Sequence, residues 1–161
     1  MSESLHRGIS VKDGFWVYGA YCPHGDRGFI VNVGIDRVGP IAHLIEVHPE
    51  TVGQFTGLYD ATKWEELSPL EQEIFFKDQW CGRQIFEGDI LEAHYDDKYP
   101  ENATRTVVIW SHGTECRNDG LGWYMKQGDY DPDPLDYMDA DKNRVIGNIH
   151  QHKELLEEEW L

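Results

Sequence analysis

The sequence predicts a mainly β protein of the α+β kind: a small β-barrel of short antiparallel strands, with a helical insertion and a short C-terminal helix. Three observations predict it. Short runs of β-branched and aromatic residues recur along the 161-residue chain. Sixteen glycines and seven prolines punctuate them, as tight turns require. One stretch, residues 61–80, changes to helical spacing and helix-start chemistry. With 40% hydrophobic residues the chain can fill one domain, or two small subdomains sharing a core.

The elements follow in order. "DGFWVYGAY" (13–21) is a strand with Phe15, Val17, Gly19 and Tyr21 on one face and Trp16, Tyr18 and Ala20 on the other. "CPHGDRG" (22–28) is a turn, and "FIVNVGI" (29–35) returns, so the pair reads as a hairpin with a longer loop. "HLIEV" (43–47) is a further short strand. In 61–80, Thr62 and Glu65, and then Ser68 and Glu71, have capping-box spacing, with Pro69 at the first helical position. A helix is expected near 69–79, with Leu70 and Ile74 on one face widened by Phe75. Residues 81–95 return to β. Gly88-Asp89 forms a turn, then Leu91, Ala93 and Tyr95 face one way and Glu92, His94 and Asp96 the other. "RTVVIW" (105–110), apolar on both faces, is a central strand. "GLGWYMK" (120–126) and "RVIGNI" (144–149) are strands, 129–143 is an acidic loop, and "KELLEEE" (153–159) is the terminal helix. The organisation is an N-terminal hairpin and strand region (1–60), the insertion (61–80), and a barrel region with its C-terminal helix (81–161).

Charge narrows the partners. The formal net charge is −16, of which residues 1–50 carry −2, 51–128 carry −7 and 129–161 carry −7. No basic patch is available to displace counterions from phosphates, so direct nucleic-acid binding is not expected. No run of 18 apolar residues predicts a membrane span, and the opening residues lack the apolar core of a secretory signal. Cys22, Cys81 and Cys116 are odd in number and widely spaced, which suits a reducing cytoplasm better than a disulfide framework.

Motifs for chemistry fall short of their requirements. A calcium loop starting at Asp129 meets Asp131 and Asp133, but then Pro134 and Ala140 where glycine and glutamate are needed. Starting at Asp139, it ends on Arg144 and His150. Eight histidines offer the pairs His150 with His152, His94 with Asp96, and Cys22 with His24, none with a second pair at metal-site spacing. There is no nucleophile elbow around Ser111-His112, no phosphate-binding glycine loop, and no privileged carboxylate pair. No catalytic residue, cofactor or metal is therefore assigned.

"PETVGQFTGLYD" (49–60) has a strand-like character interrupted by Gly53 and Gly57. Such glycines mark a bend, a bulge or a close backbone approach. Gln54 can satisfy backbone groups freed by the irregularity, and Phe55 supplies core. The alternative makes Gln54 and Thr56 ligand contacts.

That block, with "RGISVKDGFWVYGAY" (7–21), "GRQIFEGDIL" (82–91) and "VIGNIHQHKELLEE" (145–158), resembles the YopX-like family of bacteriophage and prophage proteins. Gly53, Gln54, Phe55, Thr56, Gly57, Gly88, Asp89, Gly147 and Asn148 are the signature positions, read as structural. The resemblance implies an SH3-like barrel for the C-terminal half and a phage or prophage origin inside a bacterial host, and it implies no activity. Residues 61–81 depart from the short turn that links the "TGL-x-D" and "I-x-EGD" blocks elsewhere in the family.

Three functions are then in play. The first is a non-enzymatic binding module that self-associates or meets a host protein. The second is an acidic decoy imitating DNA before a host nucleic-acid-binding protein. The third is a protein binding a metal or a small ligand.

Overall fold

The computed structural model describes residues 5–94, 103–112, 121–128, 130 and 132–156. Tyr95, Asp96, Cys116, Gly120, Asp129, Asp131 and residues 157–159, named above, lie outside the described residues. The chain divides into two units, residues 1–55 and 56–161.

The first unit is built from β1 (His6–Ile9), β2 (Trp16–His24), β3 (Arg27–Ile35), β4 (Pro40–Val47) and the start of β5 (Gly53–Tyr59). The strands run side by side in the order β4-β3-β2-β1-β5. β2 and β3 pair from Ala20↔Val31 to His24↔Arg27. This leaves a two-residue turn, Gly25-Asp26, rather than the longer loop the sequence predicts. Pro23 survives inside the strand because β1 reaches only Gly19 on that side, so no ladder needs its missing N–H. β4 starts at Pro40 rather than His43, and pairs with β3 over its full length. Asp36 shapes the connection, its Oδ1 accepting the N–H of Val38 (2.8 Å) and Gly39 (3.1 Å). The buried aliphatic core of this unit is small: Ile30 and Val47. Thr51 is buried with them, accepting the Ile9 N–H at 2.9 Å and donating to the His48 carbonyl at 2.6 Å.

The second unit carries the larger core. β6 (Gln84–Phe86) lies beside β5. A sheet of β7 (Asp89–Ala93), β8 (Thr104–His112), β9 (Leu121–Lys126), β10 (Asp133–Pro134) and β11 (Asn143–Asn148) has the order β10-β9-β8-β7-β11. β8 is internal to it, as its two apolar faces predict, and Val107 and Val108 are buried. Ile85, Leu91, Val108, Met125, Leu135 and Ala140 form one cluster, with Leu58, Trp123 and Val145 packed against it. Trp110 and Trp123 face each other across β8 and β9, edge to face at 4.9 Å. The ladders are antiparallel; β4 ends one strand order with an edge that Ser10 bridges at Val47, and β10 and β11 end the other. The fold is mainly β, and the described pairings close no barrel.

The helices are shorter than the sequence predicts. α1 covers Pro69–Ile74 and stops where Phe75 turns to extended backbone; a separate 3-10 turn, Lys77–Gln79, follows. Its capping box is present: Ser68 Oγ accepts the Glu71 N–H (3.2 Å) and Glu71 Oε1 accepts the Ser68 N–H (3.1 Å). Thr62 is not an N-cap, because its hydroxyl donates to Asp60 at 2.9 Å; the 3-10 turn begins after Lys63 instead. The acidic segment is not loop throughout: it holds β10 and a short helix. Leu135 and Ala140 are buried, and Asp136 Oδ1 accepts the Asp139 N–H at 2.9 Å to start the short helix α2 (Tyr137–Ala140). Of the predicted C-terminal helix, the described part is a 3-10 turn, Lys153–Leu155. Among the described residues no helix is long and apolar enough to cross a membrane.

Candidate interaction surface

The β3–β4 hairpin presents one face almost free of polar groups. Cross-strand partners share a face, and on this one the pairs are Val31–Leu44, Val33–Ala42 and Ile35–Pro40. Val33 is 70%, Ile35 86% and Leu44 64% exposed. Tyr18 and Ala20 on β2 are exposed beside them. The next pair toward the base is Phe29–Glu46, where Arg27 closes the patch with an ion pair to Glu46. That bond holds the Glu46 carboxyl below its ordinary range. Between Gly28 and Ile45 the only formal charges are Asp36 and Arg37, which cancel. A groove of about 760 Å³ continues along β2 and β3, between Tyr18, Tyr21, Val31 and Val33. The sequence places Tyr18 and Ala20 on one face of their strand, but it starts β4 only at His43.

A second apolar exposure lies on the insertion. Leu70 and Ile74, the spacing that predicts a buried helix face, are exposed together with Phe75 and Phe76. Phase alone does not say what covers a face.

The signature positions sit in turns and strand junctions. Gly53 pairs with Arg7 and Gln54 with His6 across β1 and β5. The Phe55 N–H donates to the Leu5 carbonyl at 2.8 Å. Thr56 Oγ1 donates to the Ile85 carbonyl (2.8 Å) and accepts the Leu58 N–H (3.1 Å). Gly57 holds φ +85°, a left-handed value that glycine adopts without a Cβ penalty. Gly88 is a turn residue, and the Asp89 carboxylate accepts the Phe86 N–H at 2.7 Å across that turn. Gly147 follows a register shift between β11 and β7, and Asn148 Oδ1 accepts the N–H groups of His150 and Gln151, both at 3.0 Å. Of these residues, Asp89 and Asn148 pair with each other across β7 and β11.

Asp60, which no catalytic motif in the sequence marks, organises the second unit. It is 2% exposed. Its Oδ1 accepts the N–H of Thr62 (2.9 Å) and Arg83 (2.8 Å), and its Oδ2 accepts the Thr62 hydroxyl (2.9 Å) and the Val145 N–H (2.8 Å). Gly82 packs so closely that an added Cβ would lie 2.1 Å from the Asp60 carbonyl oxygen. The available signal was "DAT", an aspartate two residues before a threonine, which favours a local side-chain turn.

Above Asp60 opens a cleft of about 800 Å³, walled by Lys63, Trp80, Cys81, His94 and Lys142. Several of its groups are engaged locally. Asp60 is saturated, Arg144 is paired with Glu66 at 3.0 Å, and His94 contacts Glu92 at 2.9 Å. The Cys81 thiol donates to the Gln79 carbonyl rather than to a base. Glu71 pairs with Arg83, whose guanidinium brings the carboxyl down to about 2. Burial and the neighbouring Asp136 push the Asp139 carboxyl up. Among the described residues no three histidine, cysteine, aspartate or glutamate side chains are placed to share a metal ion. His152 of the predicted pair instead accepts the Asn148 N–H through Nδ1 at 3.2 Å.

The fold and its junction residues define a small, mainly β protein in two units. The chain belongs to the YopX family: the family model described as YopX protein matches residues 32–157. Among solved structures, the crystal structure of protein EF1440 from Enterococcus faecalis is similar, with TM-score 0.52, 19% identity, and coverage of 96% of this chain and 98% of that one. At that identity the likeness is one of fold. No curated protein matches the chain.

Proposed function

We propose that the chain is a non-enzymatic accessory protein of phage or prophage origin, acting in the bacterial cytoplasm as a binding module. Its contact surface is the apolar face of the β3–β4 hairpin. The observation that carries this reading is the exposed run of Val33, Ile35 and Leu44 in an otherwise strongly acidic chain. Contiguous exposed apolar faces mark interaction sites. Commitment of Asp60 to four donors supports the non-enzymatic part, since that carboxylate has no capacity left for acid–base work. An SH3-like relation for the second unit belongs to the same reading, supported by its five short antiparallel strands.

The test compares the parent with a Val33→Asp, Ile35→Asp double variant of unchanged circular dichroism. The reading expects the variant to lose the associations the parent makes, with itself or with proteins of a host lysate. Full retention of those associations would remove this face from the function.

A second reading has its own observation. Residues 56–161 carry 24 acids and 10 bases, net −14. An acidic decoy for a host nucleic-acid-binding protein fits that density. Such a complex weakens steeply between low and moderate salt, as DNA complexes do; affinity indifferent to salt rejects it.

A further inference from the structure

We infer that the occupant of this surface is a second copy of the chain, joined edge to edge through β4 across a two-fold axis centred on Ala42. This rests on the binding-module reading and names its partner.

The hydrogen-bond phase of the hairpin fixes which groups of β4 point outward. The Asp36 N–H donates to the Gly39 carbonyl at 2.9 Å, so that pair is a bonded one. Bonded and non-bonded pairs alternate in an antiparallel ladder. The register then makes Gly34–Ile41, Asn32–His43 and Ile30–Ile45 the bonded pairs. Pro40, Ala42, Leu44 and Glu46 turn their backbone groups away from β3. An independent contact agrees: the Glu46 carbonyl accepts the Val11 N–H at 3.0 Å on that outer side. Val11 and Ser10 thus cover the edge at Glu46 and Val47. From Pro40 to Ile45 the outer N–H and C=O groups of Ala42 and Leu44 meet no partner among the described residues.

This free edge is self-complementary. Two antiparallel copies with Ala42 opposite Ala42 exchange two backbone hydrogen bonds there, and each Leu44 N–H donates to the Pro40 carbonyl of the partner copy, short of the edge that Val11 and Ser10 cover. The same operation brings the two apolar faces into one continuous surface, because Ala42 and Leu44 lie on that face. Unpaired apolar edges are ordinarily blunted by charge, proline or a bulge. Here Pro40 caps one end and no charged side chain stands between it and Glu46.

Charge selects a copy over another partner. Residues 1–55 hold six acids and four bases, net −2, against −14 for the rest. Two molecules of charge −16 repel, so they meet where charge is lowest. A basic partner would seek carboxylates, which this edge lacks. The contact also adds apolar burial to a unit with a small core. Its buried aliphatics are Ile30 and Val47, and units this small gain stability from staples or oligomerisation. Cys22, its cysteine, is a free thiol.

The experiment is size-exclusion with light scattering over a concentration series, joined to residue-resolved amide exchange on the full chain. The inference expects a dimer, with the Ala42 and Leu44 amides protected in it and exposed on dilution. Leu44→Pro deletes an outward N–H that the isolated hairpin does not use, and should raise the dissociation constant roughly 30-fold by removing two of the four bonds. Leu44→Lys, which leaves the backbone intact, should also give monomers. A parent that stays monomeric at high concentration overturns the inference, as does a dimer with freely exchanging Ala42 and Leu44 amides. A monomeric parent whose host partner is lost in the Val33→Asp, Ile35→Asp variant overturns the second copy while leaving the binding-module reading intact.

Discussion

Removing the Asp60 carboxylate should cost the second unit a large share of its stability. In Asp60→Ala three backbone N–H groups, those of Thr62, Arg83 and Val145, lose their acceptor. A buried donor left unsatisfied costs about 1–3 kcal/mol. Some solvent reaches Arg83 and Val145, so the lower part of the range applies and the sum is about 4 kcal/mol. Asp60→Asn keeps the shape and one oxygen, but sets an amide N–H against donors on the other side; about 2 kcal/mol is expected. Domains of this size are stable by only about 5–15 kcal/mol, so both losses are measurable. Urea unfolding followed by tryptophan fluorescence gives the numbers. With a slope of about 2 kcal/mol per molar urea, the alanine variant should shift the midpoint down by about 2 M and the asparagine variant by about 1 M. A shift for alanine below about 0.5 M, or an asparagine variant weaker than alanine, would refute the account of Asp60 as a saturated structural acceptor.

Other substitutions probe the same frame. Gly82→Ala should lose about 2 kcal/mol or more, because its Cβ cannot share space with the Asp60 carbonyl unless the backbone moves; urea unfolding at neutral pH measures it. Gly57→Ala should cost about 1–2 kcal/mol, the penalty of a side chain at a left-handed φ, read as a lower melting temperature. Glu71 has a folded carboxyl near 2 against an ordinary 4.5. Its contribution is therefore present above about 4.5 and is lost as pH falls toward about 2. The shift corresponds to about 3 kcal/mol if fully realised, which solvent screening of this partly exposed pair reduces to about 1 kcal/mol. Glu71→Gln should flatten the fall of stability across that acid window, and an unchanged pH profile would show that the ion pair contributes nothing.

Much of the β framework was legible because alternation and turn residues are local signals. "FIVNVGI" declared β3, and "RTVVIW", apolar on both faces, declared an internal strand. The capping box at Ser68 was legible for the same reason. Misread features depended on distant partners. Thr62 has N-cap chemistry, but Asp60 takes its hydroxyl. Leu70 and Ile74 have the spacing of a buried helix face, but nothing in their spacing reports that they are exposed. The acidic run hid β10 and α2, because Leu135, Met138 and Ala140 are scattered among six aspartates between 129 and 141. Asp60 was silent for a related reason: its donors are 2, 23 and 85 residues away. The outward phase of β4, on which the proposed assembly rests, exists only once its register with β3 is known.

The Asp60 junction also fixes the two ends of the 61–81 segment. The Asp60 N–H donates to the Arg83 carbonyl at 2.8 Å while its carboxylate accepts the Arg83 N–H, so the chain leaves and re-enters the frame at one place. A segment with its ends already clasped behaves as a cassette. Lengthening or replacing it changes the closure entropy only logarithmically, by about 0.6 kcal/mol per doubling. The piece can be exchanged for a short turn, or for a different exposed apolar surface, without renegotiating the β framework beneath it.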